Sequence, residues 1–208
     1  ELARSRLQLR ERGADALLGL QVFALGANRE HLARLRQPHQ GEGVEPVMEP
    51  DRQIWVWGAG HVGRALVNVL APLPGVAVTW VDVAAERFPD VVPQGVTVVP
   101  ASDPALIADH APEGAEHLIL TFSHALDLEL CHRLLNRGFR ACGLIGSATK
   151  WARFRSRLSA LGHGPDAIAR IRCPIGDPAL GKHPQAIAIG VAADLLKTPK
   201  LAARERRA

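Results

Sequence analysis

A glycine-rich motif, Gly58-Ala-Gly-His-Val-Gly63, directly follows the apolar run Ile54–Trp57. The next apolar run ends at an acidic residue, Asp82. A strand leading into G-x-G-x-x-G, then a helix, then a second strand ending in an acid is the arrangement of dinucleotide-binding folds. This feature therefore predicts a Rossmann-like α/β fold.

Each glycine of such a motif has a different structural role. The first permits a tight turn, the second lets the backbone approach a pyrophosphate, and the third allows the helix to pack closely on the strand. The helix N-terminus then presents unpaired N–H groups and a partial positive charge to an anion. The alternative is a domain that keeps the loop for packing and binds nothing. The residues predicted to hold the anion are Gly58, Gly60, His61 and Gly63.

Apolar runs and amphipathic stretches alternate through the rest of residues 51–197. Almost unbroken apolar runs are typical of parallel strands that are covered on both faces. Strict alternation of strand and helix predicts a doubly wound, mainly parallel sheet. The predicted strands are Ile54–Trp57, Val76–Val83, Val96–Val99, His117–Phe122 and Arg140–Ile145.

The two ends of the chain differ from this central domain. Residues 1–36 have helical character, and residues 37–50 form a polar stretch rich in proline and glycine, which is typical of a linker. We therefore predict a small helical N-terminal region with a linker at 1–50, the Rossmann-like domain at 51–197, and a basic tail at 198–208.

Composition excludes several classes of protein. The formal net charge is only +4, much of it lies near the two ends, and the chain has no tyrosine, so a nucleic-acid partner is not expected. No apolar stretch is long enough to cross a bilayer, and no signal peptide opens the chain, so no membrane is expected. The three cysteines form no CxxC and the histidines show no metal-ligand spacing, which favours a cytoplasmic setting without a metal site.

Ligands of doubly wound sheets bind at the carboxyl ends of the strands. Asp82 is at such an end and could accept hydrogen bonds from a ribose diol, or it could be an exposed carboxylate in a turn. Its charge disfavours a 2′-phosphate and hence NADP. Arg87 could counter that repulsion or lie on the surface.

Two further turns are predicted at the same edge. Ser123 and His124 follow one strand, and the imidazole could hold an anion or transfer a proton; alternatively Ser123 caps a helix and His124 is solvated. The turn formed by Gly146 and Ser147, with Lys150 one helical turn later, could form a second anion site or simply a helix cap.

Cys173 lies in a loop rich in proline and glycine. It could act as a thiolate ligand or nucleophile near Lys182, or be a buried and inert thiol.

Seven segments, taken in order, resemble one family. Together they are more specific than a glycine loop, because the later segments are not shared by ordinary dehydrogenases. They cover roughly residues 50–197 and resemble the C-terminal domain of the xanthine dehydrogenase accessory family (XdhC/CoxI). The segments are Trp57–Gly63, Val81-Asp82 with Arg87–Pro89, Ser123–Asp127, Gly143–Ser147 with Lys150, Arg157–Gly162, Pro174–Gly176 and Pro184–Ala188.

The resemblance implies a molybdenum-cofactor chaperone rather than an enzyme. Such a protein binds molybdopterin, protects it, supports its sulfuration with a cysteine desulfurase, and inserts it into xanthine dehydrogenase or a related molybdenum hydroxylase. A homodimer is also expected. The implied cofactor-binding residues are Gly58, Gly60, His61, Gly63, Asp82, Ser123, His124, Gly146, Ser147 and Lys150, with no catalytic residue.

The chain departs from the family pattern near its start. Residues 1–50 contain neither the G-T-I-G-G-G-type turn nor the Cys-Gly-Gly of the family's N-terminal region, so we expect that region to be incomplete. The alternative function is an NAD-dependent oxidoreductase that uses Gly58–Gly63 and Asp82 for its cofactor, with His124 or Lys150 as acid or base. Against it, no recognisable substrate domain follows the sheet.

Overall fold

Residues 50–197 are described by a computed structural model, and in this part of the chain six parallel strands form one sheet. Numbered in chain order, the strands are arranged β3-β2-β1-β4-β5-β6. They are β1 (Arg52–Trp57), β2 (Val76–Asp82), β3 (Val96–Pro100), β4 (Glu116–Ile119), β5 (Ala141–Leu144) and β6 (Ile171–Arg172).

Helices occupy most of the connections between strands. A short 3-10 turn, Ala85–Arg87, follows β2, and another, Pro178–Leu180, precedes the last helix. The helices are α1 (His61–Leu70), α2 (Pro104–Ala108), α3 (His124–Arg137), α4 (Ala148–Ala160), α5 (Pro165–Ala169) and α6 (Pro184–Lys197). The predicted Rossmann-like α/β class is confirmed. The predicted N-terminal helices and basic tail lie outside the described residues.

The order of strands reverses direction between β1 and β4. From β1 the chain moves outward through β2 to β3, and it then crosses back to place β4 on the other side of β1. At such a switch point the loops after the two strands turn away from each other and leave a crevice. The glycine loop after β1 and the turn after β4 border this crevice.

Two helices cover one face of the sheet. Helices α1 and α6 pack against each other over the strands. Leu66 and Leu70 of α1 and Val191 of α6 are buried in the same apolar cluster as Val56 and Trp80 of the sheet. Burial of these side chains fixes α1, and with it the loop that precedes α1.

Side chains also determine where several helices begin. The Asp103 carboxylate accepts a hydrogen bond from the Ala105 amide at 3.1 Å, and Pro104 is the first residue of α2. An acidic N-cap followed by proline is a common start for a helix. Within residues 50–197 there is no helix with both the length and the apolar character that crossing a bilayer requires.

The structure differs from the predicted elements at β4 and β6. The strand predicted at His117–Phe122 ends at Ile119, because the Thr121 amide donates to the Asp127 carboxylate instead of a neighbouring strand. Strand β6 has two residues, which is too short for any periodicity to reveal.

Candidate functional site

Two glycines of the motif are required by the protein's own packing. Gly58 has φ +117°, and a Cβ added to it would lie 2.4 Å from the Leu120 carbonyl oxygen. A Cβ added to Gly63 would lie 2.1 Å from the Gly58 carbonyl oxygen. The absence of a side chain at these two positions lets the loop lie against the residues after β4 and lets α1 approach the loop. They would be needed even in a domain that binds nothing.

The middle glycine is different. A Cβ added to Gly60 would meet no atom within 4 Å, and its φ of −72° and ψ of −175° suit any residue. Gly60 is the N-cap of α1, and no side chain caps this helix. His61, the first helical residue, is exposed. Open space therefore lies at a helix N-terminus, where backbone amides and the helix dipole favour an anion.

Asp82 fixes the loop from the side of β2. It is 4% exposed, and its Oδ2 accepts a hydrogen bond from the Ala59 amide at 2.5 Å. Its Oδ1 accepts from the Val83 amide at 2.6 Å. An ionised carboxylate has about four acceptor positions, so these two bonds leave capacity for a ribose hydroxyl. The predicted ribose contact stays a prediction.

A buried tryptophan of β2 also forms a hydrogen bond with the glycine loop. The indole Nε1 of Trp80 donates to the Gly58 carbonyl oxygen at 3.0 Å, and its ring meets that of Phe88 edge to face. Sequence reasoning missed this role, because a tryptophan inside an apolar run indicates only a core position.

Two arginines border the crevice. Arg64 donates from Nε to the Ala59 carbonyl oxygen at 3.0 Å and from Nη2 to the Arg87 carbonyl oxygen at 2.8 Å. Arg87 Nε lies 3.6 Å from Asp82 Oδ1, and its guanidinium carbon lies 5.0 Å from the centre of the Phe122 ring. Arg87 thus lies close enough to offset the charge of Asp82, as the first alternative requires, while 41% of its side chain stays exposed.

A second polar cluster lies at the ends of β4 and β5 and is closed. The fully buried Asp127 carboxylate accepts hydrogen bonds from the Thr121 amide at 3.1 Å and hydroxyl at 2.7 Å, and from Lys150 Nζ at 2.6 Å. Lys150 Nζ also donates to the Ile145 carbonyl oxygen at 2.9 Å. The ammonium that was predicted to attract an anion thus points into the protein.

The two predicted serines cap helices. Ser123 Oγ accepts from the Leu126 amide at 3.3 Å, and Ser147 Oγ accepts from the Lys150 amide at 3.1 Å. His124 is exposed at the start of α3. Ligand contacts by Ser123, His124 and Ser147 stay predictions.

Cys173 lies beside the closed cluster. Its Sγ is 3.4 Å from the position that a Cβ on Gly146 would take, and the residue is half-buried. Burial raises the pKa of this thiol; Lys150 acts to lower it and Asp127 to raise it further. The cation that acts on this thiol is therefore Lys150 rather than the predicted Lys182, and the raised pKa disfavours the nucleophilic thiolate.

The amino-acid sequence matches a known family that has this fold. Residues 54–195 match the family of the XdhC Rossmann domain. The chain belongs to the XdhC family. The predicted resemblance is thereby confirmed over nearly the same residues.

One curated protein and one solved structure similar to this chain are both longer than the part that matches. The uncharacterized protein YqeB of Escherichia coli (strain K12) is 28% identical over 141 residues, which are 67% of this chain and 26% of YqeB. A crystal structure of a xanthine dehydrogenase from Bacillus halodurans shares the fold, with a TM-score of 0.56 at 22% identity. That match covers 70% of this chain and 41% of the other. The chain thus spans about a quarter to two fifths of these proteins.

The structure divides the predicted site residues of this XdhC-family chain into two groups. The first group borders the open crevice at the switch point, and the sequence-based prediction missed three of its neighbours, Arg64, Trp80 and Phe122. The second group surrounds the closed Asp127–Lys150 pair. The first consists of Gly58, Gly60, His61, Gly63 and Asp82; the second consists of Ser123, Gly146, Ser147 and Lys150, with His124 exposed beside it.

Proposed function

We propose that this chain binds the molybdenum cofactor as a carrier and delivers it to xanthine dehydrogenase or a related molybdenum hydroxylase. Membership in the XdhC family suggests such an accessory role. The observation that carries the binding site is the open space at Gly60, in front of an uncapped helix N-terminus.

The residues around this space suit the anionic end of the cofactor. Molybdopterin carries a phosphate or, in its dinucleotide form, a pyrophosphate, and the first amides of α1 would receive it. Arg64 and Arg87 add positive charge at the border of the crevice. When bound, the cofactor supplies the molybdenum centre for the client enzyme; the residues of this chain hold and orient it.

The proposal includes the partners that the resemblance implies. A carrier must meet the hydroxylase that receives the cofactor, and a cysteine desulfurase would supply the sulfur for its maturation. A homodimer belongs to the same proposal. These partners rest on family membership rather than on any contact within residues 50–197.

The rival function is that of an NAD-dependent oxidoreductase. The glycine loop and Asp82 are equally compatible with a nicotinamide dinucleotide. Lys150 is a poor acid or base for such a reaction, because its ammonium is bound to the buried Asp127 at 2.6 Å and its side chain is 11% exposed. His124, the other proposed acid or base, is exposed at the start of α3. The carrier is therefore favoured chiefly by membership in the XdhC family.

One experiment separates these functions. The full chain is incubated with molybdopterin, or with NADH, and the chromophore retained after gel filtration is measured. The test variant is Gly60→Ser, which fills the open space. A matched control is Gly164→Ser, because Gly164 is also an N-cap with φ −71° and open space around its Cβ position.

The proposal expects retained pterin in the wild type and in Gly164→Ser, with a loss of at least about tenfold in Gly60→Ser, which corresponds to roughly 1.4 kcal/mol of binding free energy. Retained NADH with hydride transfer would instead support the oxidoreductase. Equal pterin retention by both serine variants would place the ligand elsewhere and overturn the proposed site.

A further inference from the structure

Two histidines that are far apart in the chain meet away from the crevice. His132 of α3 and His163, which follows α4, are 31 residues apart, and His132 Nδ1 lies 2.7 Å from His163 Nε2. The ring centres are 4.9 Å apart, and the ring planes are inclined by 67°. Both residues are half-buried. Their spacing in the sequence does not indicate a shared site, because only the packing of α3 against α4 brings the two rings together.

The backbone that carries each of these histidines is well fixed. Helix α4 ends in a Schellman motif, in which the Gly162 amide donates to the Ser159 carbonyl oxygen at 3.0 Å. The His163 amide donates to the Leu158 carbonyl oxygen at 3.1 Å, and Gly162, with φ +94°, supplies the left-handed residue of the motif. His132 lies within α3 and away from both of its ends. The two rings are therefore carried by ordered elements, as a ligand site requires.

The contact between the rings requires a shared proton. An N–H of one imidazole donates to the bare nitrogen of the other, whereas two doubly protonated rings would offer no acceptor. Partial burial and, next, the charge of His132 lower the pKa of His163. His163 is therefore neutral near pH 7.5, and neutral imidazole is the form that ligates metal ions.

We propose that a divalent transition-metal ion binds between His132 Nδ1 and His163 Nε2. Two nitrogens that ligate one ion at about 2.0–2.1 Å are roughly 3 Å apart or slightly more, so the rings need to separate by only about half an ångström. The ion takes the place of the proton that joins the two nitrogens. Imidazole suits Cu²⁺, Ni²⁺ and Zn²⁺, whereas Mg²⁺ and Ca²⁺ prefer oxygen ligands. This site goes beyond the carrier function and does not depend on it.

Asn136 is placed to support the ligation. Its side-chain amide lies 3.5 Å from Nε2, the other ring nitrogen of His132. When Nδ1 binds the ion, Nε2 carries the proton, and the amide oxygen of Asn136 can accept it once the amide has turned over. Within residues 50–197, no group of three or more His, Cys, Asp or Glu side chains could hold a metal ion. Water therefore completes the coordination at this two-histidine site, and the ion stays exchangeable.

Calorimetric titration of the untagged full chain with Ni²⁺ at pH 7.5, after chelator treatment and removal of the chelator, tests the proposal. His132→Gln and His163→Gln should each weaken Ni²⁺ binding at least about tenfold, which corresponds to roughly 1.4 kcal/mol. The double variant should bind no more weakly than either single variant, because both changes remove the same site. His110→Gln is the matched control, since His110 is an exposed histidine just after α2, and it should keep the wild-type affinity.

Thermal unfolding gives a second measurement. A ligand that binds the folded chain raises its Tm, so Ni²⁺ at about 100 times its Kd should raise the Tm of the wild type and of His110→Gln. It should leave the Tm of His132→Gln and of His163→Gln unchanged. The proposal is overturned if the wild type binds no Ni²⁺, if either histidine can be replaced without loss of affinity, or if Mg²⁺ binds as tightly as Ni²⁺. Loss of Ni²⁺ binding in Cys173→Ser but not in the histidine variants would also overturn it.

Discussion

Two polar regions at the same edge of the sheet differ in whether the protein itself supplies the partners of their polar groups. At the β4–β5 ends, Asp127, Thr121 and Lys150 satisfy one another inside the protein. At the switch point, the space before Gly60 is open and the ring of Phe122 is exposed. In the sequence, both regions contain residues of the types expected at a binding site. Only the second has capacity left for a ligand.

The comparison shows why burial alone does not identify a site. A buried charge must be paired, and a pair that is complete stabilises the fold instead of serving a ligand. The predictions below test this division between a closed region and an open one.

The largest effect is expected in the closed region. Lys150→Met leaves the Asp127 carboxylate buried without its cation, and removing one partner of a buried pair costs about 3–5 kcal/mol. Denaturant unfolding measures the loss. Lys182→Met, at an exposed position, is the matched control and should change stability by less than about 0.5 kcal/mol.

A double variant sharpens this test. Replacing both partners, Asp127→Asn with Lys150→Met, should recover part of the lost stability, because no uncompensated charge remains. If Lys150→Met alone proves as stable as the wild type, the cluster is not closed as described, and Lys150 becomes available to a ligand.

The next effect depends on pH and concerns His117 of β4. Burial lowers the pKa of His117 from 6.5 to about 4, and its Nδ1 accepts a hydrogen bond from Trp57 Nε1 at 3.2 Å. Between these pH values the unfolded chain binds the extra proton, so stability is full above 6.5 and falls as pH falls towards 4. The loss amounts to roughly 3 kcal/mol.

Unfolding free energies of wild type and His117→Phe, measured from pH 7.5 to pH 4, check this expectation. The free energy of unfolding of His117→Phe should depend less steeply on pH than that of the wild type, whatever the absolute stability of the variant. Parallel curves for the two proteins would show that His117 does not titrate as a buried residue.

A smaller effect separates the glycines of the open region. Gly63→Ala introduces a Cβ 2.1 Å from the Gly58 carbonyl oxygen and should cost about 2 kcal/mol through overpacking. Gly60→Ser meets no protein atom and supplies an N-cap hydroxyl, so its stability should stay within about 0.5 kcal/mol of the wild type. Thermal or denaturant unfolding of both variants decides the comparison.

The smallest effect concerns Cys173. Because burial raises its pKa, it should react with a thiol reagent at pH 7.5 more slowly than a free cysteine, while the buried Cys131 and Cys142 stay protected until unfolding. Ligand bound at Gly60 should leave the rate at Cys173 unchanged. Protection of Cys173 by molybdopterin would show that the closed region also belongs to the binding site.

The sequence predicted most of the sheet and part of the site. Continuous apolar strands and the Gly58–Gly63 motif repeat known physical patterns, so the class of fold and the loop could be predicted from local order alone. The contact between Arg87 and Phe122 could not, because it joins loops after β2 and β4 that only the crossover brings together. The same holds for Lys150 and Asp127, whose pairing depends on the neighbouring positions of β4 and β5.

The open space at Gly60 also matters for comparing relatives of this chain. A descendant that had given up its ligand would still need small residues at 58 and 63, because steric contact with its own backbone demands them. Position 60 would be free to drift. In an alignment of the family, the residue at position 60 is therefore the one that indicates whether a given member still binds a ligand.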